Sequence, residues 1–240
     1  AKIADKMFNA VTEGNQATYK KYDDELGFYT PILKGFLTEM GLEAANLGIQ
    51  VFGGHGYIGE HGMEQIARDA RISTLYEGTT GIQALDLLGR KVLLNTKGKC
   101  VRDFSGTILR MAKPYALQRT PMGQMMRTLA RRTAQWNVLT TLIMLRASKD
   151  REQVGSSSVD YLMYSGFVMM AYFWALQAAK ATELLASGKG KESNDFYTAK
   201  IQTAEFYFAR LLPRADGHYS AALAPTSAVM QMPQELFQMA

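Results

Sequence analysis

Apolar residues along this chain recur at spacings of three and four, and no stretch alternates in the way a strand between hairpin turns would. That spacing lines one face of a helix, so the pattern predicts an all-α protein. A first helix is predicted over Lys2 to about Val11, followed by a polar connection from Gly14 to Gly27. Thr30 then reads as an N-cap and Pro31 as the first residue of a long helix. Its buried stripe runs through Ile32, Leu33, Phe36, Leu37, Met40, Ala44, Leu47 and Val51, and Gly53, Gly54 and Gly56 end it. Met63 to Ala70 reads as a short helix and Ile72 to Tyr76 as extended chain. Thr79 or Thr80 then caps a helix through Ile82, Leu85, Leu88, Val92 and Leu93.

Asn95 to Lys99 carries two lysines and a glycine and is the best boundary in the chain, dividing residues 1–96 from a second helical unit, 97–240. In the second unit, helices are predicted over Phe104 to Leu117 and Gly123 to Ser148. After a loop from Asp150 to Ser158, further helices cover Val159 to Leu185 and Phe196 to Leu212. Pro213 is expected to stop the chain's helical course, leaving a loosely packed tail. The run Phe167 to Trp174 is apolar all round, as in a helix buried on every side or lying in a subunit interface.

Composition narrows the class. With 47% hydrophobic and 20% charged residues the chain has the make-up of a folded globular protein. Cys100 is the lone cysteine, which rules out an internal disulfide and fits a reducing, cytoplasmic setting. Together with His55, His61 and His218 it offers no zinc pattern, so no metal is expected. The net charge of +5 is concentrated between Lys97 and Lys149, where Asp103 is the single acid. No phosphate loop, zinc finger or stacking-aromatic pattern accompanies that charge, so it reads as a solvated helix face with subunit ion pairs, and no nucleic-acid partner is expected. Tyr161 to Leu176 falls short of the roughly 20 residues a spanning helix needs and is broken by Ser165 and Gly166, so no membrane span is expected. The first residues are already in helical register without an initiating Met or a cap, which suggests a piece of a larger protein.

One stretch looks like chemistry: Leu75-Tyr76-Glu77-Gly78-Thr79-Thr80-Gly81-Ile82-Gln83, downstream of the loop Gln50-Val51-Phe52-Gly53-Gly54-His55-Gly56-Tyr57. A carboxylate seated against apolar neighbours recovers free energy by taking a proton, and Glu77 is placed to do so between Leu75, Tyr76 and a glycine. Its backbone amide lies near a predicted helix N-terminus, where an oxyanion is favoured. Taken singly, each feature has a plainer reading: Glu77 as a first-turn acid, the glycines as a helix-ending loop, and Arg68 and Arg71 about Asp69 as an ion-pair network. His55 reads as a loop side chain.

The ordered blocks are Gln50-Val51-Phe52-Gly53-Gly54-x-Gly56-Tyr57, Arg68-Asp69-Ala70-Arg71-Ile72, Leu75-Tyr76-Glu77-Gly78-Thr79 and Ile82-Gln83. Over about Ile32 to Val92 this order resembles the C-terminal domain of acyl-CoA dehydrogenases, an antiparallel helical bundle. The resemblance implies that Glu77 is the base that removes the pro-R α-proton of an acyl-CoA thioester while the flavin N5 of FAD accepts the β-hydride. It implies further that the Glu77 amide, with a flavin ribityl hydroxyl, polarises the thioester carbonyl. Gly78 would line the substrate channel, and Thr79 and Thr80 would contact the FAD diphosphate. Gln50, Gly53 and Gly54 would meet the adenosine diphosphate portion, commonly from a neighbouring subunit. Many members carry glutamine where this chain has Gly81, which removes one side-chain contact. Electron-transfer flavoprotein as the acceptor and a homodimer or larger homo-oligomer follow from the same likeness. An acyl-CoA oxidase, which passes electrons to oxygen, and a non-catalytic helical assembly module are the rival readings. Residues beyond about Cys100 resemble the additional helical extension of a bacterial subgroup of the family.

Overall fold

A computed structural model describes residues 2–238, and every regular element among them is helical. The expected outer ends of the two domains, residue 1 and residues 239–240, lie outside the described residues. The chain gathers into two compact units. One holds Ala1–Cys100 with Val154–Met163, and the other holds Val101–Gln153 with Tyr164–Ala240.

In the first unit, α1 (Lys2–Thr12) turns back through Gly14, at φ +66, onto α2 (Gln16–Phe52). The remaining elements are α3 (Gly54–Tyr57), α4 (Met63–Ile72) and α5 (Thr80–Leu85), the last continuing as a π-helical segment over Asp86–Asn95. All of them pack on α2. The helix buries Phe28, Ile32, Gly35 and Phe36, four side-chain positions on one face. Each buried large apolar side chain among these contributes about 2 kcal/mol of burial free energy. Gly35 allows a close approach, because a Cβ there would lie 2.8 Å from Leu162.

Three expectations for this unit are corrected. Of the stripe predicted to be buried along α2, Ile32 and Phe36 are buried, whereas Leu33, Leu37, Leu47 and Val51 are 44%, 41%, 58% and 84% exposed, because the elements of this unit cover only part of that face. The polar connection from Gly14 to Gly27 is helix from Gln16 onward, so Thr30 and Pro31 lie inside α2 and neither begins it. The start belongs to Asn15, whose side-chain carbonyl accepts from the Thr18 amide at 3.0 Å. Gly27, which reads as punctuation, leaves space that the Lys91 side chain fills. The stretch from Ile72 to Tyr76 is not extended. The Leu75 and Tyr76 amides both donate to the Ile72 carbonyl, at 3.0 and 3.2 Å, forming successive tight turns.

In the second unit, α6 (Lys99–Ala112) buries Val101, Phe104 and Ile108. Phe104 stands edge-on to both Trp136 of α7 (Pro121–Ala147) and Tyr172 of α8 (Glu152–Ser187), with centroids 6.2 and 5.3 Å away. Beyond these lie α9 (Asn194–Phe206), α10 (Ala215–Ala222) and α11 (Ser227–Met230). The predicted loop from Asp150 to Ser158 is largely helix. Asp150 accepts from the Glu152 amide at 3.0 Å and starts α8 there, with Gly155 and the serines after it carried inside. Pro213 does not stop the chain either, since it sits in the first turn of a 3₁₀ segment, Leu212–Arg214, that runs on into α10.

Polar ties to buried groups help hold this unit together. Arg132, 5% exposed, forms a two-pronged pair with Asp216. The Tyr164 hydroxyl donates to the Arg132 carbonyl at 2.8 Å, and the Tyr207 hydroxyl donates to the Phe167 carbonyl at 2.9 Å. Helix α8 is long and apolar enough to cross a membrane by length and composition alone, and 61% of its most apolar window is buried inside the protein. Phe167, Val168 and Ala171 are buried, whereas Phe173 is 42% exposed, so the run is not covered on every side.

Candidate active site

The Tyr76-Glu77-Gly78 turn joins α4 to α5. Glu77 takes a left-handed backbone conformation, φ +52, which it shares among non-glycine residues only with Lys97 in the described chain. A side chain there costs about 1 kcal/mol, and such strain persists only where surrounding groups over-determine it. Gly78 follows at φ +97, a value natural to glycine. A Cβ at Gly78 would lie 2.3 Å from the Gln83 carboxamide nitrogen, which instead occupies that space and donates to the Glu77 carbonyl at 3.4 Å.

Two side chains of α2 reach the same turn. The Lys34 ammonium donates to the Ser73 carbonyl and stands 4.6 Å from the centre of the Tyr76 ring. The Glu39 carboxylate accepts from the Thr80 hydroxyl. At the back of the turn Thr74 is buried, and its hydroxyl receives an Arg71 guanidinium hydrogen at 3.2 Å. Lys34, Glu39 and Gln83 are the functional candidates that the sequence did not single out for a role, since no periodicity ties a helix side chain to a carbonyl some 40 positions on.

The expected apolar seat for Glu77 does not form within this chain. Glu77 is exposed, and its neighbours Leu75 and Tyr76 are 47% and 50% exposed because the turn points all three side chains outward. The expected use of its amide is compatible with the structure: among the described residues no hydrogen bond employs the Glu77 N–H. Thr79 is the N-cap of α5 with extended backbone and makes no side-chain cap bond, so its exposed hydroxyl points to no helix amide. The Thr80 hydroxyl hydrogen is already given to Glu39, which leaves that oxygen able only to accept from a ligand.

The glycine loop divides by role. Gly53, at φ +60, and Gly54 have nothing within 4 Å of where a Cβ would stand, so both expose open backbone. Gly56 is buried, and a Cβ there would lie 2.5 Å from the Ile49 carbonyl oxygen, so this glycine serves packing. Gln50 is exposed at the end of α2, with its backbone carbonyl taken by the Gly53 amide at 3.1 Å. His55 packs edge-on to His61, with centroids 5.2 Å apart. Arg68 does not pair with Asp69. It bridges to Glu64 at 3.0 Å, while the Gln65 carboxamide holds Asp69 at 2.8 Å. Open glycine backbone, the exposed Gln50 and Thr79, and an unused amide beside Glu77 fit a flat, phosphate-bearing cofactor such as FAD.

Residues 7–93 match the family profile described as "Acyl-CoA dehydrogenase, C-terminal domain", and residues 103–233 match "Acetyl-CoA dehydrogenase C-terminal like". The chain belongs to the acyl-CoA dehydrogenase family. It is similar to 3-methylmercaptopropionyl-CoA dehydrogenase of Ruegeria pomeroyi, with 36% identity over 193 residues, covering 80% of this chain and 32% of that protein. A broad-specificity linear acyl-CoA dehydrogenase of Mycobacterium tuberculosis is 31% identical over 189 residues, covering 76% and 31%. A butyryl-CoA dehydrogenase of Syntrophomonas wolfei is 28% identical over 220 residues, covering 90% and 35%. The chain thus spans about a third of the length of these curated relatives.

Proposed function

We propose that the chain is the C-terminal portion of a flavin-dependent enzyme that introduces a double bond between Cα and Cβ of an acyl-CoA thioester, with Glu77 as the base. Residues 1–96 form its catalytic helical bundle and 97–240 its additional helical unit. The observation that carries the reading is the strained, outward-facing Glu77, tied down around its backbone while its carboxylate and amide hydrogen are left for a ligand.

In this reading the Glu77 carboxylate takes the α-proton, the C–H bonding pair becomes the new Cα–Cβ π bond, and the β-carbon gives up hydride. Bound FAD supplies the two-electron acceptor for that hydride. The Glu77 N–H donates to the thioester carbonyl, stabilising the negative charge that develops on oxygen as the α-proton leaves. Gly78 borders the acyl chain, and the water around Glu77 is displaced when the thioester closes over Leu75 and Tyr76. Gln50, Gly53, Gly54 and Thr79 hold the cofactor, whereas the Thr80 hydroxyl, its hydrogen given to Glu39, has none to donate to a diphosphate. The likeness to acyl-CoA dehydrogenases supports electron-transfer flavoprotein as the onward acceptor and a homo-oligomer as the working assembly.

The test is Glu77→Gln in the FAD-loaded enzyme that contains this chain. Anaerobic flavin reduction by acyl-CoA should slow about 10²-fold or more, with flavin still bound. Undiminished reduction would overturn the reading and leave a non-catalytic helical module in its place.

A further inference from the structure

We propose that Lys34 and Glu39 are positioning residues for the Glu77 base, two anchors on α2 that fix the turn on which the base stands. The inference rests on the reading of Glu77 given above. Between the end of α4 and the start of α5 the chain has only short-range turn bonds of its own, and these do not extend past Tyr76. Yet Glu77 and Gly78 both hold left-handed backbone. Something outside the turn must fix it, and the long-range side-chain bonds that reach it come from α2. Lys34 holds the entry through the Ser73 carbonyl and the Tyr76 ring, while Glu39 holds the exit through the Thr80 hydroxyl. Gln83 completes the arrangement from inside, lying where a side chain at Gly78 would be.

The charges of these two residues argue for the role. Lys34 and Glu39 are part-buried and of opposite sign on one helix, yet among the described residues neither makes an ion pair. Each gives its charge-assisted bond to the turn, where such a bond is stronger and more directional than a neutral one. Because α2 is also the element on which α4 and α5 pack, the base takes its position from the helix that its neighbouring elements share.

The experiment compares Lys34→Met and Glu39→Leu with the conservative Lys34→Arg and Glu39→Gln, all in the FAD-loaded enzyme that contains this chain. The first pair should lower the limiting rate of flavin reduction by acyl-CoA about 10- to 100-fold, the loss expected when a reacting group is displaced by about an ångström. KM should change by less than about threefold, and flavin content should hold. The Leu75 and Tyr76 amide hydrogens, both bonded to the Ile72 carbonyl, should exchange faster with solvent, and Lys34→Arg and Glu39→Gln should recover most of the rate and the protection. Unchanged rates with unchanged exchange would overturn the proposal. So would a loss that follows flavin release or a lowered melting temperature equally in all four variants. Full turnover by Glu77→Gln would instead overturn the base assignment, and the exchange of the Leu75 and Tyr76 amides would separately show whether the anchors hold the turn.

Discussion

In the first unit two long-range side-chain bonds converge on a single turn, whereas in the second such bonds tie helices around a core. Lys34 and Glu39 reach Ser73 and Thr80, and the apolar residues beside that turn, Leu75 and Tyr76, remain half exposed. Arg132 reaches Asp216, Tyr164 reaches the Arg132 carbonyl and Tyr207 the Phe167 carbonyl, with apolar core around them. The same kinds of bond serve different ends. Where they reach the turn of a strained residue they leave its side chain exposed. Where they tie helices around a filled core they contribute to stability. Substitutions in the second unit should therefore be read mainly in unfolding, and those at the turn mainly in turnover.

The largest stability effect is expected at Asp216→Ala, which strands the buried Arg132 guanidinium. Asp216 is held below the ordinary carboxylate range, first by the hydrogen bonds from Arg132 and then by its charge. The loss should be about 2 kcal/mol in denaturant unfolding, short of the figure for a fully buried pair because the Asp216 side chain is 59% exposed. Retained stability would mean that the pair orders the surface without supporting the core.

Tyr164→Phe and Tyr207→Phe should each cost about 1 kcal/mol, the net worth of a buried hydrogen bond. They also carry a pH signature. Burial pushes both hydroxyls above their ordinary value of 10.0, so the unfolded chain ionises first as pH rises. Their contribution is complete below about pH 10 and is lost as pH climbs toward the folded values, and the double variant should lose that alkaline limb in a pH series of unfolding curves. The smallest change has the opposite sign. Glu77→Gly should stabilise the protein by up to about 1 kcal/mol by relieving the left-handed side chain, while turnover collapses. A destabilised Glu77→Gly would show that the carboxylate supports the fold, which would blur the contrast between the units.

The helical class and the approximate place of most helices were legible because burial of one face leaves a three-and-four spacing in the residues. What misled was local punctuation. Gly27 and Thr30-Pro31 read as a helix start, yet Lys91 fills the space at Gly27 and Pro31 is buried within α2. Gly155 with Ser156 to Ser158 read as a loop, yet packing carries them inside α8. Glu77 was legible as a candidate from its neighbours in sequence, but its backbone conformation was not, since no residue pattern marks a strained glutamate. Its exposure was equally hidden, because an apolar flank in sequence says nothing of which way the flank points.

Gly53, Gly54 and Gly56 look interchangeable on paper, and their surroundings part them. Alanine at 54 would meet no neighbouring atom, so tolerance at that position is decided by whatever docks from outside; alanine at 56 would press on the chain's own Ile49 carbonyl, whatever docks. Mutational scans scored separately for folding and for cofactor retention would consequently pull one short motif into two unrelated constraints.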